Sequence, residues 1–399
     1  MLLAAMLMAT TGPILRFDLE PPKRATGRVV VAADKPYEAG GYGYEPDRRG
    51  KEFLFSAAVP EGNYKVTIRV SGRVTVKAEQ RRLMLRDIAT KPGQYVTASF
   101  VVNVHGPALA PPEKNAPGGN AVRLFDREIA TQNWDDKLTL EFLGDPRVAS
   151  IDIEPVDVPT AYLTGDSTVT DNRAEPGASW GQMFTAMFDG GIAVANHAES
   201  GETLKSFLTG LRFDKVLQGM KQGDFLFIQF GHNDQKKQWP QTYVDADLTY
   251  PAYLRAYIAE AKRRGATPVL VTSPERRNFE NGRIRPSLLD YAEAMRKVAR
   301  EDNIALVDLQ PQTIALYEAL GPDKAPSLFG ADGKDATHHN NAGAWLLARA
   351  VASGVATQVP ALAAHLKPGM RSFDAARPNL AETAIAPSLQ RSNARPAGN

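Results

Sequence analysis

The chain has 399 residues, 43% of them apolar and 23% charged, enough for two domains that each bury a core. Lys and Arg number 47 against 45 Asp and Glu, and a formal net charge of +2 excludes the broad basic surface of a nucleic-acid binder. There is no cysteine, which also excludes disulfide frameworks, thiolate metal sites and a cysteine nucleophile.

Residues 1–12 are apolar and end in small residues, like the hydrophobic region of a signal peptide that lacks its charged leader. The expectation is a signal remnant on a secreted or periplasmic protein. No run elsewhere approaches the roughly 20 apolar residues of a membrane span. From 13 to 157 the pattern has period two, as in Asn63 to Val70, Tyr95 to Val104 and Lys137 to Phe142, with Gly, Pro and Asn between the runs. This half reads as an all-β sandwich, with a long loop from His105 to Asn120.

From 158 to 366 short apolar strands alternate with helical segments. The strands are expected at Ala161 to Thr164, Ile192 to Ala195, Asp224 to Phe230, Pro268 to Thr272 and Ile304 to Asp308. Helices are expected at Trp180 to Phe188, Pro251 to Arg264, Ser287 to Arg300, Thr313 to Leu320 and Ala342 to Ala356. Such βα units predict a mostly parallel sheet covered by helices on both faces, an α/β fold. Residues 367–399 are rich in Pro, Ala and Arg without periodicity, and are expected to form a flexible tail.

Four polar segments follow expected strands or precede the last helix. Gly165-Asp166-Ser167 ends the first strand of the second half, where an open α/β sheet places its ligands. Alone it also fits a turn with a helix-capping serine. Asp335 and His338 are three apart, a spacing that can hold an imidazole by its Nδ1–H so that Nε2 takes a serine proton. A plain surface loop is the alternative, and the adjacent His339 is a competing base. Gly231-His232-Asn233-Asp234 ends a strongly apolar strand, and Asn233 could donate its side-chain amide to an oxyanion or make an Asx-turn. Asn196 to Gly201 ends another strand; Gly201 could offer its N–H to the same oxyanion or be an ordinary loop glycine. Each segment is weak alone. Together they supply a nucleophile, a base, an orienting carboxylate and neutral donors, the equipment for acyl transfer.

These four blocks resemble the SGNH (GDSL-like) hydrolase superfamily, matched here by Ser167, Gly201, Asn233 and His338 over about Thr160 to His365. The resemblance implies a flavodoxin-like three-layer α/β/α domain and catalytic Ser167, Asp335 and His338. It further implies an oxyanion hole from the Ser167 N–H, the Gly201 N–H and the Asn233 amide, and no metal or cofactor. Val194 to Phe207, Phe230 to Asp234 and Asp335 to His338 are most similar to rhamnogalacturonan acetylesterases. Some members carry an N-terminal β-sandwich of galactose-binding-like type, whose start Phe17-Asp18 and Gly40 to Tyr44 resemble. Glu202 departs from the pattern, standing where an arginine is common.

An acidic glycan would find guanidinium forks at Arg276, Arg277 and Arg283, against the alternative of a solvated basic loop. Asp166 and His232 are further candidate substrate contacts, and Trp180, Trp239, Tyr243 and Tyr250 could stack on sugars or pack in the core. The reading is a serine esterase that deacetylates pectic rhamnogalacturonan, its partner an acetylated polysaccharide or oligosaccharide. The alternatives are an esterase for xylan, another glycan or a lipid, and a non-catalytic glycan-binding protein. The last would be expected to have lost Ser167, Asn233 or His338, and all three are present.

Overall fold

The computed structural model describes residues 12–21, 27–112, 114–115, 117–129 and 131–392. The signal-like segment, Gly12 apart, lies outside the described residues. Ten strands form two five-stranded sheets. One sheet orders β2 (Val29–Val30), β1 (Leu15–Asp18), β10 (Arg147–Pro155), β5 (Gly62–Ser71) and β8 (Val96–Val104). The other orders β3 (Tyr42–Arg49), β4 (Glu52–Ala58), β9 (Lys137–Gly144), β6 (Arg73–Ala78) and β7 (Arg82–Ala89). Pairing is antiparallel apart from the short β1/β2 contact. Alternation explains the packing: on β5, Val66, Ile68 and Val70 are buried while Lys65 and Arg69 face water. Their apolar faces meet Phe55, Leu140 and Phe142 of the opposite sheet.

The second half is a parallel sheet in the order β12 (Ala193–Asn196), β11 (Thr160–Gly165), β13 (Phe225–Gln229), β14 (Thr267–Val271) and β17 (Ala305–Val307). A small antiparallel hairpin, β15 (Phe279–Glu280) with β16 (Arg283–Ile284), stands apart from it. The helices are α1 (Trp180–Phe184), α2 (Leu204–Thr209), α3 (Arg212–Gly219), α4 (Thr249–Arg263), α5 (Leu289–Glu301), α6 (Leu309–Lys324) and α7 (Asn341–Gln358), with a short turn at Pro360–Ala363. Ala161, Leu163, Phe225 and Phe227 pack on the layer of α1 and α7, whereas Tyr162, Leu226, Ile228 and Leu270 pack on that of α4 and α5. This is the three-layer α/β/α arrangement. The strand order turns back between β11 and β13, which places a ligand crevice at their carboxyl ends.

The halves interlock through the turn joining β6 to β7. Leu83, the second residue of β7, is fully buried in the core of the α/β half, among residues such as Trp180 and Phe184. Beside it, Arg82 donates to Asp171 at 2.6 Å, to the Asn103 carbonyl at 2.7 Å and to Asn133 at 2.5 Å. Arg81 and Lys77 reach Glu175 at 2.6 and 3.3 Å. His105 stacks on His197 across the same boundary, ring centroids 4.2 Å apart, and the long loop after it lies on α3, where Lys215 donates to the Ala108 carbonyl at 2.6 Å.

The expected flexible tail is not free over its described part. Ser388 is fully buried and accepts from Lys77 at 2.7 Å, and its N–H donates to Glu175 at 2.8 Å. Leu389 N–H donates to Glu141 at 2.7 Å, and Glu382 pairs with Arg349 at 2.8 Å. Polar anchors and scattered apolar contacts from Met370, Phe373, Ala375 and Ile385, without a periodic apolar face, hold residues 367–392, so a search for periodicity passes over them. Residues 393–399 lie outside the described residues.

Candidate active site

Ser167 lies two residues past β11 in a tight turn. The turn depends on Gly165, where a Cβ would stand 2.6 Å from Val169 Cγ2 and 2.8 Å from the Gln229 carbonyl. His338 precedes α7, and its own carbonyl accepts the Gly330 N–H at 2.9 Å. Asn340 caps α7 by accepting from the N–H groups of Ala342 and Gly343. His338 Nε2 stands 2.9 Å from Ser167 Oγ, and Nδ1 stands 2.9 Å from Asp335 Oδ2. The other carboxylate oxygen, Oδ1, accepts the backbone N–H of Thr337 at 2.7 Å and of His338 at 2.9 Å. The expected serine, histidine and aspartate thus form one hydrogen-bonded chain.

Burial alone would raise the Asp335 carboxyl, but the hydrogen bond and charge of His338, with the two backbone N–H groups, outweigh it and hold the pKa at about 2. The folded value lies below the unfolded value of about 3.9. The stabilisation from Asp335 is therefore fully present above about pH 4 and is lost as pH falls through about 2. In urea titrations over that window, Asp335→Asn is expected to lose less stability than the wild type. Parallel losses in the two proteins would contradict this assignment.

Gly201 has φ +88°, and a Cβ there would meet nothing within 4 Å. Its need for glycine is conformational rather than steric. Asn233 is held at both ends of its amide: Nδ2 donates to the Glu202 carbonyl at 3.1 Å, and Oδ1 accepts from Lys236 Nζ at 3.0 Å. Asp234 supports this turn, accepting the N–H groups of Leu204 and Gly231 at 2.9 Å each. Burial pushes its carboxyl up to about 8. Glu202, where an arginine was noted as common, pairs with Arg212 at 3.0 Å, and Arg212 also pairs with Glu128 of the β half.

The remaining candidates separate by position. His339 is buried with Nε2 2.8 Å from the Tyr317 hydroxyl, and burial with the charge of His338 pulls it down to about 3, so it does not compete as base. Asp166 is fully buried, its Oδ1 accepting from the N–H and hydroxyl of Thr168, and His232, in the turn after β13, is buried as well. Burial raises the Asp166 carboxyl and holds His232 well below the usual imidazole range. Neither is a surface contact. Arg276 donates to Ser287 at 3.1 Å and weakly to the His232 carbonyl at 3.4 Å. Arg277 braces the Asp335 loop, donating to the carbonyls of Gly333 at 2.6 Å and Asp335 at 3.2 Å. Arg283 pairs with Glu318 at 2.7 Å out on the β15/β16 hairpin. Trp180 and Tyr250 are core residues, bonded to Gln229 and to the Phe230 carbonyl, whereas Trp239 is 37% exposed beneath Lys236.

Two contributors escaped the sequence reading. Lys236 is three residues past Asn233 and was visible as a polar neighbour of that block. Arg127, in the β half, donates to Glu199 at 2.9 Å and to the Ser200 carbonyl at 2.6 Å, and nothing in its local sequence marks it. Among the described residues, no group of three or more His, Cys, Asp or Glu is placed to hold a metal ion, and no helix is long and apolar enough to cross a membrane.

Residues 163–346 match the GDSL-like lipase/acylhydrolase family. The chain is 39% identical over 216 residues to the rhamnogalacturonan acetylesterase RhgT of Bacillus subtilis, a match spanning 51% of this chain and 90% of that protein. The chain belongs to the GDSL-like lipase/acylhydrolase family. It is accordingly a carboxylic ester hydrolase. A further relative, the rhamnogalacturonan acetylesterase of Emericella nidulans, is 27% identical over 224 residues, covering 49% of this chain and 86% of its own. Among solved structures, that of Bacillus subtilis YxiM aligns with 86% of this chain and 98% of its own at 22% identity and a TM-score of 0.49.

Proposed function

We propose that the protein is a serine carbohydrate acetylesterase that removes acetyl groups from acetylated pectic rhamnogalacturonan through an acetyl-serine intermediate. The observation that carries the chemistry is the unbroken chain Asp335–His338–Ser167 at the crevice between β11 and β13. The substrate class is supported by the likeness of the chain to rhamnogalacturonan acetylesterases of Bacillus subtilis and Emericella nidulans. In the proposed cycle, His338 Nε2 takes the Ser167 proton as Oγ bonds to the acetyl carbonyl carbon, while Asp335 holds the ring by Nδ1. The N–H groups of Ser167 and Gly201 and the Asn233 amide receive the oxyanion. His338 returns the proton to the departing sugar oxygen, and the C–O bond to the sugar breaks. Water then attacks the acetyl-serine, giving its proton to His338, and Ser167 recovers that proton as acetate leaves. Activity on a plant-wall polymer fits a secreted or periplasmic site of action.

The test is acetate release from acetylated rhamnogalacturonan, acetylated xylan and p-nitrophenyl acetate. Release is expected to be fastest, per unit of kcat/KM, from the pectic polymer. Turnover confined to xylan or the small ester would keep the chemistry and discard the pectic substrate.

A further inference from the structure

The Ser200–Gly201 peptide is the centre of a turn closed only by a long hydrogen bond, from the Glu202 N–H to the Glu199 carbonyl at 3.3 Å. Gly201 adopts φ +88°, and the space around its missing Cβ is open for 4 Å, so no side-chain packing at that carbon fixes the plane. A second, shorter grip on this peptide comes from the other half of the chain. Arg127 lies in the short 3₁₀ turn Asp126–Glu128 of the β-sandwich region; its Nη2 donates to the Ser200 carbonyl at 2.6 Å and its Nε to Glu199 at 2.9 Å. The Ser200 carbonyl and the Gly201 N–H are opposite ends of one planar, trans peptide group. A donor that fixes the carbonyl therefore fixes the direction of the N–H. A cationic donor also draws electron density from the amide and strengthens its N–H as a hydrogen-bond donor.

Arg127 is itself braced. Its carbonyl accepts from Arg173 at 2.5 Å, and its guanidinium lies 4.0 Å from the Phe125 ring centroid. The next residue, Glu128, is buried and pairs with Arg212, which in turn holds Glu202. The Glu202 carbonyl accepts the Asn233 amide. Both ends of the loop 199–202 are thus tied to one turn of the sandwich half.

We propose that Arg127 is a positioning residue through which the β-sandwich completes the oxyanion hole, by orienting and polarising the Ser200–Gly201 peptide. The inference rests on the serine-esterase reading with Gly201 as an oxyanion donor. It gives the sandwich a part in the chemistry that needs no glycan binding of its own.

The experiment uses the full chain as wild type, Arg127→Ala, Arg127→Lys and Ser167→Ala, with p-nitrophenyl acetate as substrate and thermal unfolding measured alongside. Removing an oxyanion donor outright lowers kcat by roughly 10²–10³-fold, so loosening one is expected to lower it about tenfold in Arg127→Ala. KM is expected to stay within about twofold, because the oxyanion exists only beyond the ground state. Arg127 is partly exposed, and the unfolding midpoint should move by only a few degrees. Arg127→Lys, which keeps a cationic donor for the Ser200 carbonyl, is expected to recover part of kcat. An unchanged kcat in Arg127→Ala, a rise in KM alone, or a loss of activity matched by loss of folded protein would each overturn the proposal. A wild type inactive on the ester, or equal to Ser167→Ala, would instead overturn the esterase reading, and the role of Arg127 with it.

Discussion

Ser167→Ala is expected to leave less than about one part in 10⁴ of the wild-type kcat on any acetyl ester, while the protein stays folded. The size of the loss follows from what the hydroxyl does in the proposed cycle. It forms the bond that divides the reaction into two steps, and no neighbouring side chain can replace it. The stability change should be small, because the deletion removes one hydrogen bond, to His338, worth roughly 1 kcal/mol net. His338→Ala should cost a comparable factor in kcat. The double variant should be no slower than either single one, since residues that act as a unit lose their effect together. Stopped assays for acetate with an unfolding curve on each variant make the check. Additive losses would mean that Ser167 and His338 do not share one proton path.

The largest stability loss is expected at the boundary between the halves, from Asp171→Ala. Arg82 and Asp171 have side chains only 1% and 0% exposed, and Asp171 also accepts from Asn196 at 2.7 Å. Burial pushes the Asp171 carboxyl upward even with Arg82 beside it, which marks the pair as expensive to bury. Its importance lies in what remains when one member goes: a guanidinium shut from water without its counter-charge. Such a truncation costs about 3–5 kcal/mol. Urea unfolding should give this shift for Asp171→Ala, and Arg82→Met with Asp171→Leu together should cost less than the sum of the single changes. Strict additivity would show that the pair is not coupled.

The sequence disclosed most clearly what is local. Period-two runs marked β5, β8 and β9 of the sandwich, and the short apolar runs of the second half fell within a residue or two of β11 to β14 and β17. Their polar ends marked Ser167, Asn233 and Gly201, because a buried strand that stops at several polar residues is delivering them somewhere. The helices α2 and α3 went unseen, being six and eight residues long, too short for a 3.6-residue period to declare itself. Arg276, Arg277 and Arg283 drew attention as a basic cluster, yet Arg277 holds a loop and Arg283 faces Glu318, distinctions that only side-chain geometry makes. The clamp from Arg127 to Ser200 joins residues 73 positions apart with no pattern at either end.

The placement of Leu83 bears on how the chain is made. The strand β7 that carries it belongs to the half that is synthesised first, yet the apolar site that receives it is built from α1 and α7, some 100 to 260 residues later. Domains tend to fold in the order they emerge, N-terminal first. The β6–β7 hairpin, with Lys77, Arg81, Arg82 and Leu83, is therefore made before the α/β segments that close around it. Lys77 also donates to Ser388, so this joint ties together residues 311 positions apart along the chain.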